Sequence, residues 1–168
     1  MTKKPDCSEC PLVERRTFIG EASVLLAGLA LALGGAPETA QALSVTFGRA
    51  LFKKGDEHGY AIPAVDGATI DRDVEVIVVR YHGKAYVFNL SCPHQRTALR
   101  WWPEDGQFQC PKHHSRYTPD GVFISGRATR SMDRFGVRKD GGNIVADLER
   151  FYRQDEHPTE WGAAFIEV

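Results

Sequence analysis

The sequence predicts an all-β domain over residues 43–168, preceded by an N-terminal apolar helix. Valine occupies positions 74, 76 and 78 and alternates with other residues, as in a strand. A His82-Gly83 turn separates this predicted strand from a second apolar run at 85–88. Short segments rich in Gly, Pro and Asp then recur along the chain, at 103–106, 119–121 and 139–142. Such segments are typical of turns between short strands, so the domain is expected to be built from hairpins.

The predicted hairpins lead into two loops, each of which begins with a cysteine. The first hairpin leads directly into Cys92, and a short strand at 107–109 leads into Cys110. Further strands are expected at 122–124 and on both sides of the turn at 139–142. The tail at 148–168 shows no clean period, and its aromatic residues are expected to pack on the sheet or on a partner subunit.

Composition and charge limit the classes of partner. The formal net charge is -1, and after residue 42 the chain carries 17 acidic and 17 basic residues. A balanced surface of this kind does not favour polyanions, so nucleic acid is not an expected partner. The length fits one domain with a real core plus a targeting segment.

Residues 1–42 are interpreted as a targeting segment. Arg15-Arg16 form a twin-arginine motif, an apolar run at 22–33 follows, and Ala40-Gln41-Ala42 resembles a cleavage site. The sequence therefore predicts export by the twin-arginine route to the periplasm or to the periplasmic face of the membrane. Cleavage and retention as a membrane anchor both stay open, and Cys7 and Cys10, which precede the arginines, have no assigned role.

Two mixed pairs of metal ligands stand in the middle of the chain. Cys92 and His94 form a C-x-H pair, and Cys110 and His113 form a C-x-x-H pair. Structural zinc usually takes its ligands from C-x2–4-C and H-x3–5-H pairs, which this pattern does not match. A Cys92–Cys110 disulfide would leave the two histidines unexplained. Two thiolates and two imidazoles in this arrangement are the ligand set of a Rieske [2Fe–2S] centre.

The segment from Cys92 to about residue 135 resembles Rieske iron–sulfur proteins. That resemblance implies an antiparallel β-sandwich or barrel with a small cluster-binding part at about 90–130. It also implies that Ser115 and Tyr117, five and seven residues after Cys110, donate hydrogen bonds to cluster sulfurs. Donors to the sulfurs stabilise the reduced cluster and raise its potential.

The sequence also departs from the quinol-oxidising members of that family. Thr97 and Lys112 occupy the positions at which those members carry a disulfide between the cluster loops. Residues 126–129 replace a proline-rich cover loop. Both departures resemble the small subunit of arsenite oxidase and the ferredoxins of ring-hydroxylating dioxygenases. We therefore keep three expectations: a quinol–cytochrome c reductase type subunit, an arsenite-oxidase-like subunit, and a dioxygenase-type ferredoxin.

The ligand set implies one-electron transfer with no substrate-converting site on this chain. With two ferric ions, two sulfides, two thiolates and two neutral imidazoles the oxidised site is neutral, so adding an electron costs less than at a four-cysteine cluster. Expected partners are a cytochrome or copper protein, a larger oxidoreductase subunit and, if the histidines take up protons with the electron, a quinol.

Other residues with metal-binding or aromatic side chains are given structural roles. His114 is expected to be a surface or supporting residue because motif spacing selects His113 as the ligand. His58, His82 and His157 are dispersed and are expected on solvated loops. Trp101 and Trp102 could shield the cluster or contact a partner, and buried packing is the default expectation for both.

Overall fold

The computed structural model describes residues 43–168, and the predicted targeting segment and apolar helix lie outside that range. The described residues form thirteen strands and one short helix. These are β1 (Ser44–Phe47), β2 (Phe52–Lys54), β3 (Glu57–Ala61), β4 (Gly67–Asp71), β5 (Val76–Tyr81), β6 (Lys84–Asn89), β7 (Arg100–Trp102), β8 (Gln107–Gln109), β9 (Arg116–Tyr117), β10 (Phe123–Ser125), β11 (Arg134–Asp140), β12 (Asn143–Tyr152), α1 (Pro158–Ala163) and β13 (Ile166–Glu167). The predicted all-β class is confirmed.

The strands divide into a large and a small sheet. The nine-stranded sheet has the order β1-β4-β5-β6-β11-β12-β3-β2, with β13 also paired to β6. The four-stranded sheet has the order β10-β9-β8-β7. All pairs are antiparallel except β1 with β4. The sequence did not predict this parallel pair, which needs a long crossover connection, here supplied by β2 and β3.

The central hairpin of β5 and β6 is buried on both faces. Val76, Val78, Ala85 and Val87 belong to one apolar core, whereas the alternate residues of the same strands belong to a second core. The first core is completed by β3, β11 and β12, and the second by residues of the small sheet and its loops. The large sheet therefore curls over its own central strands, and the small sheet covers the opposite face.

Most predicted turns are present. Turns lie at 82–83, 103–106, 119–120 and 141–142, next to the strands expected beside them. Val74 is different: it lies in the turn before β5, where Glu75 has a φ of 55°. The valine alternation therefore overestimated the strand by two residues at its start.

The C-terminal tail contains a helix that the sequence pattern did not reveal. Trp161 of α1 is 7% exposed, and its indole N–H donates to the Met132 carbonyl at 2.8 Å. The Arg134 guanidinium stacks on the Trp161 ring at 3.7 Å. These contacts confirm packing of this aromatic residue on the sheet, whereas Phe151 remains 41% exposed. Within residues 43–168 no helix has the length and apolar character needed to cross a membrane.

Candidate metal centre

Two loops approach each other at one end of the small sheet. The first cluster loop, residues 92–97, follows β6 and is closed at its base by a bridge between Ser91 and Ala98. The second cluster loop, residues 110–115, connects β8 to β9. Because each loop is anchored on paired strands, its position is fixed by the sheet below it. The sequence predicted this placement from the hairpins that precede Cys92 and Cys110.

The two cluster loops share one backbone pattern. In each loop the cysteine N–H donates to the carbonyl five residues later, at 2.9 Å. The N–H four residues after the cysteine donates back to the cysteine carbonyl, also at 2.9 Å. That fourth residue is Arg96 in the first loop and His114 in the second, and both have positive φ, 48° and 57°. The loops therefore present their cysteines and histidines from two similar frames.

The four predicted ligands lie on the two neighbouring loops. Their cysteines form no disulfide, and their imidazole Nδ1 atoms accept no hydrogen bond. Cys92 and Cys110 are each 1% exposed and are free thiols, so the disulfide alternative does not occur. The imidazole rings of His94 and His113 are 4.9 Å apart between centroids and tilted by 70°. The Nδ1 atom of each ring is buried without a hydrogen-bond partner. Other buried side chains, His58 among them, also have a nitrogen or oxygen atom without a partner. What distinguishes His94 and His113 is that their two imidazoles face each other on loops that also carry buried free thiols, as metal ligands would.

This donor set fits a [2Fe–2S] cluster with mixed ligation. Two thiols and two unpaired imidazole nitrogens would supply two ligands for each of two irons, in the combination found at Rieske centres. Within residues 43–168 no group of three or more His, Cys, Asp or Glu side chains is arranged to hold a metal ion. A two-iron cluster needs only two protein ligands for each iron, and here each loop offers one cysteine and one histidine.

Two buried hydroxyls stand next to these ligands. The Tyr117 hydroxyl lies 3.4 Å from the Cys92 sulfur, and Tyr117 is fully buried. Burial raises the pKa of Tyr117, and its hydrogen bond to Cys92 raises that pKa further, so the phenol keeps its proton to donate. Ser115 is also fully buried, and its oxygen accepts the Ala128 N–H at 3.0 Å. A hydrogen bond from Ser115 to the phenol acts to lower the pKa of Tyr117, against the larger effects of burial and Cys92, so the two hydroxyls are neighbours.

The segment 126–129 covers the second cluster loop. A Cβ on Gly126 would lie 2.4 Å from the Ser115 Cα, and Gly126 has a φ of 113°. Only glycine fits this close approach of two backbones. The sequence identified this segment as a replaced cover loop but did not reveal the contact to Ser115.

His113 lies in a positive environment. Desolvation lowers the pKa of His113, and the charges of Arg127, His94, Lys112 and His114 add to the lowering in that order. A neutral imidazole is the form that binds a metal, so these neighbours favour the ligating state.

The remaining predicted residues fall into different places. His114 is exposed, as expected, and its Nδ1 lies 3.4 Å from the amide of the buried Gln109, a supporting residue that the sequence did not single out.

His58 was predicted on a solvated loop, and this is wrong. It is 7% exposed within β3, because β3 is covered on this face by the curled sheet.

The two adjacent tryptophans of β7 lie on opposite faces of the strand, because successive side chains of a strand alternate between its faces. The Trp101 ring packs edge-on against Phe108 at 5.0 Å, whereas Trp102 points the other way and is 40% exposed. Trp101 is partly buried against the apolar core, whereas Trp102 does not follow the default expectation of burial. His82 and His157 are exposed, as predicted.

Comparison with known proteins assigns the fold family. Residues 57–139 match the sequence model of the Rieske [2Fe-2S] domain. The chain is 31% identical over 107 residues to the chloroplastic cytochrome b6-f complex iron-sulfur subunit of Bigelowiella natans, covering 62% of this chain and 37% of the relative. It is 30% identical over 76 residues to the cytochrome b6-f complex iron-sulfur subunit of Chlorobaculum tepidum, covering 45% and 42%. The chain thus spans about two fifths of these curated relatives.

Another relative and a solved structure are of the same kind. The ferredoxin component of the alkene monooxygenase system of Xanthobacter autotrophicus is 25% identical over 84 residues, covering 49% of this chain and 69% of the relative. The plasma membrane Rieske protein PetC3 from Synechocystis PCC 6803 superposes with a TM-score of 0.39 at 24% identity, over 54% of this chain and 85% of that one. From the family match at residues 57–139 and the iron–sulfur relatives, we conclude that this chain carries a Rieske [2Fe–2S] domain, which binds one [2Fe–2S] cluster.

Proposed function

We propose that Cys92 and Cys110 bind one iron of the cluster and that His94 and His113 bind the other. The observation that carries this assignment is the pair of buried Nδ1 atoms without partners, 4.9 Å apart between ring centroids and close to two buried free thiols. When bound, the cluster accepts and donates single electrons. The chain orients its ligands through the two matched loops and donates hydrogen bonds from Tyr117 and Ser115.

A matched pair of histidine variants tests the ligand assignment. His113→Ala removes a proposed ligand, whereas His114→Ala changes the adjacent, exposed histidine on the same loop. The measurement is iron and acid-labile sulfide content, with electron paramagnetic resonance of the dithionite-reduced protein. We expect the Rieske signal in the wild type and in His114→Ala and its loss in His113→Ala. Loss in His114→Ala with retention in His113→Ala would reverse the assignment.

We propose that the chain transfers electrons as a subunit of a quinol–cytochrome c reductase type complex. The support is its similarity to cytochrome b6-f iron-sulfur subunits over 107 and 76 residues. The expected partners are a quinol as donor, a cytochrome or copper protein as acceptor and a larger subunit of the complex. The twin arginines at 15–16 support a position on the periplasmic face of the membrane, with residues 1–42 as signal or anchor.

A ferredoxin role is the second candidate. It is favoured by the alkene monooxygenase ferredoxin, because this chain covers 69% of that protein and only 37% of the first b6-f relative. The lack of cysteines at Thr97 and Lys112 supports the same candidate, as it does an arsenite-oxidase-like subunit. Purification of the chain with its bound partners from its native cells separates the three. A b-type cytochrome would support the reductase, a molybdenum subunit the arsenite-oxidase-like complex, and a soluble oxygenase the ferredoxin.

A further inference from the structure

Three permanently charged cations lie on the two cluster loops and on the segment that covers the second loop. Arg96 lies on the first loop, Lys112 on the second and Arg127 on the covering segment, and all three side chains are exposed. None of them forms an ion pair with any residue in the range 43–168. Lys112 immediately precedes His113 in the chain, and Gly126, which precedes Arg127, packs against the Ser115 backbone of the same loop. We call these three residues the basic rim.

The segments that carry the basic rim contain no acidic residue. Neither cluster loop contains one, nor does the segment 126–129. Glu75 lies beside the base of the first loop, where its carboxylate accepts from the Ser91 hydroxyl. Asp120 accepts from the Thr118 hydroxyl. Because the described chain as a whole has equal numbers of acidic and basic residues, the rim is a local asymmetry of charge and not a result of net charge.

Two residues of the cluster loops hold a left-handed backbone conformation that strains residues with a side chain. Arg96 and His114 hold the equivalent left-handed position of their loops, with φ of 48° and 57°. Glycine adopts this conformation without strain, whereas residues with a Cβ do not. The side chains of both residues are exposed, so packing in the core does not explain their presence.

We propose that the basic rim is the docking surface for an acidic patch on the redox partner protein of this domain. The inference rests on the proposed cluster ligation, since Arg96 and Lys112 lie on the same loops as the two histidines through which electrons would leave. Complementary charge around the exit point steers the partner and orients it for transfer. Since the surface charges are exposed, the association would weaken as salt is added.

Binding and electron transfer are measured with two probe proteins. One is a soluble cytochrome c with an acidic surface around its haem edge, and the other is a cytochrome c with a lysine-rich surface and a similar potential. The full-length chain loaded with its cluster is titrated with each oxidised cytochrome by calorimetry at low and high salt. The reduced chain is then mixed with each cytochrome in a stopped-flow experiment.

The rim variant Arg96→Glu/Lys112→Glu/Arg127→Glu is compared with a control of equal charge change, Lys53→Glu/Lys54→Glu/Lys139→Glu. The control residues are exposed and lie on strands β2 and β11 of the large sheet. We expect the acidic cytochrome to bind the rim variant at least about ten-fold more weakly than the control at low salt. Raising the salt should weaken wild-type binding by a similar factor and slow electron transfer in parallel.

Equal effects of the two triple variants would overturn the proposal, as would tighter binding of the lysine-rich cytochrome. A third result would also overturn it: rim-dependent binding to vesicles that contain phosphatidylglycerol, with cytochrome binding unchanged, would assign the rim to a membrane surface. The calorimetric result does not require electron transfer. If the preparation showed no Rieske signal, the proposed ligand assignment would be wrong. The difference in cytochrome binding between the rim variant and the control variant would still decide the role of the rim.

Discussion

Removing the Tyr117 hydroxyl should lower the reduction potential of the cluster. The phenol lies 3.4 Å from the Cys92 sulfur and is fully buried, so no water replaces its hydrogen bond in Tyr117→Phe. A hydrogen bond to a charged acceptor contributes about 1.5–3 kcal/mol. The reduced cluster carries one more negative charge than the oxidised cluster, so the bond is stronger in the reduced state. If the difference is half of the total, about 1 kcal/mol, the potential falls by about 40 mV, because 1.4 kcal/mol corresponds to 59 mV for one electron.

The assay is a redox titration of Tyr117→Phe followed by circular dichroism, and Tyr60→Phe is its control. Tyr60 is also buried, but its hydroxyl donates to Asp71 and its side chain belongs to the other apolar core. Both variants lose one buried hydrogen bond to a charged acceptor, so both should lose about 1.5–3 kcal/mol of stability in the loaded protein. Only Tyr117→Phe should shift the potential. An unchanged potential in Tyr117→Phe, or equal shifts in the two variants, would refute the assignment of this phenol as a donor to the cluster.

Three further substitutions test the packing that supports the loops. Gly126→Ala should destabilise the domain by about 1–3 kcal/mol and release iron on warming, because the new Cβ would meet the Ser115 backbone at 2.4 Å. Arg134→Lys should cost about 1–3 kcal/mol in urea unfolding, because one ammonium cannot replace a guanidinium that stacks on Trp161 and donates to two carbonyls. Arg96→Gly should stabilise the loaded domain by about 1 kcal/mol in the same assay, since its φ of 48° strains a residue with a Cβ.

Each of these substitutions has a counterpart in the same chain. Gly162→Ala lies in α1 with open space around its Cβ, so it should leave stability unchanged or raise it. Arg138→Lys changes an exposed arginine and should have little effect. Arg100→Gly, on strand β7, should destabilise by about 0.5–1 kcal/mol, opposite in sign to Arg96→Gly. A destabilised Gly162→Ala, or a loss of stability in Arg96→Gly, would contradict the packing and strain described here.

The sequence predicted the chemistry of the site because ligand identity and spacing are local properties. Cys92, His94, Cys110 and His113 stand out by residue type, and the hairpins that lead into them follow from apolar alternation and turn residues. The roles proposed for Ser115 and Tyr117 came from resemblance to a family. The structure then placed both hydroxyls in buried positions at the loops, with Tyr117 beside a ligand sulfur.

What the sequence by itself determined is which residues are the candidate ligands of the cluster and roughly where the strands begin and end. Only the tertiary structure decided which surfaces those strands share: it buried His58 under the curled sheet, covered both faces of β5 and β6, and stacked Arg134 on Trp161. It also brought together the two loops that carry Arg96 and Lys112, and it packed the segment that carries Arg127 on the second of them. The physical reason is that turn and strand preferences act over a few residues, whereas burial and surface charge depend on contacts between residues far apart in the chain.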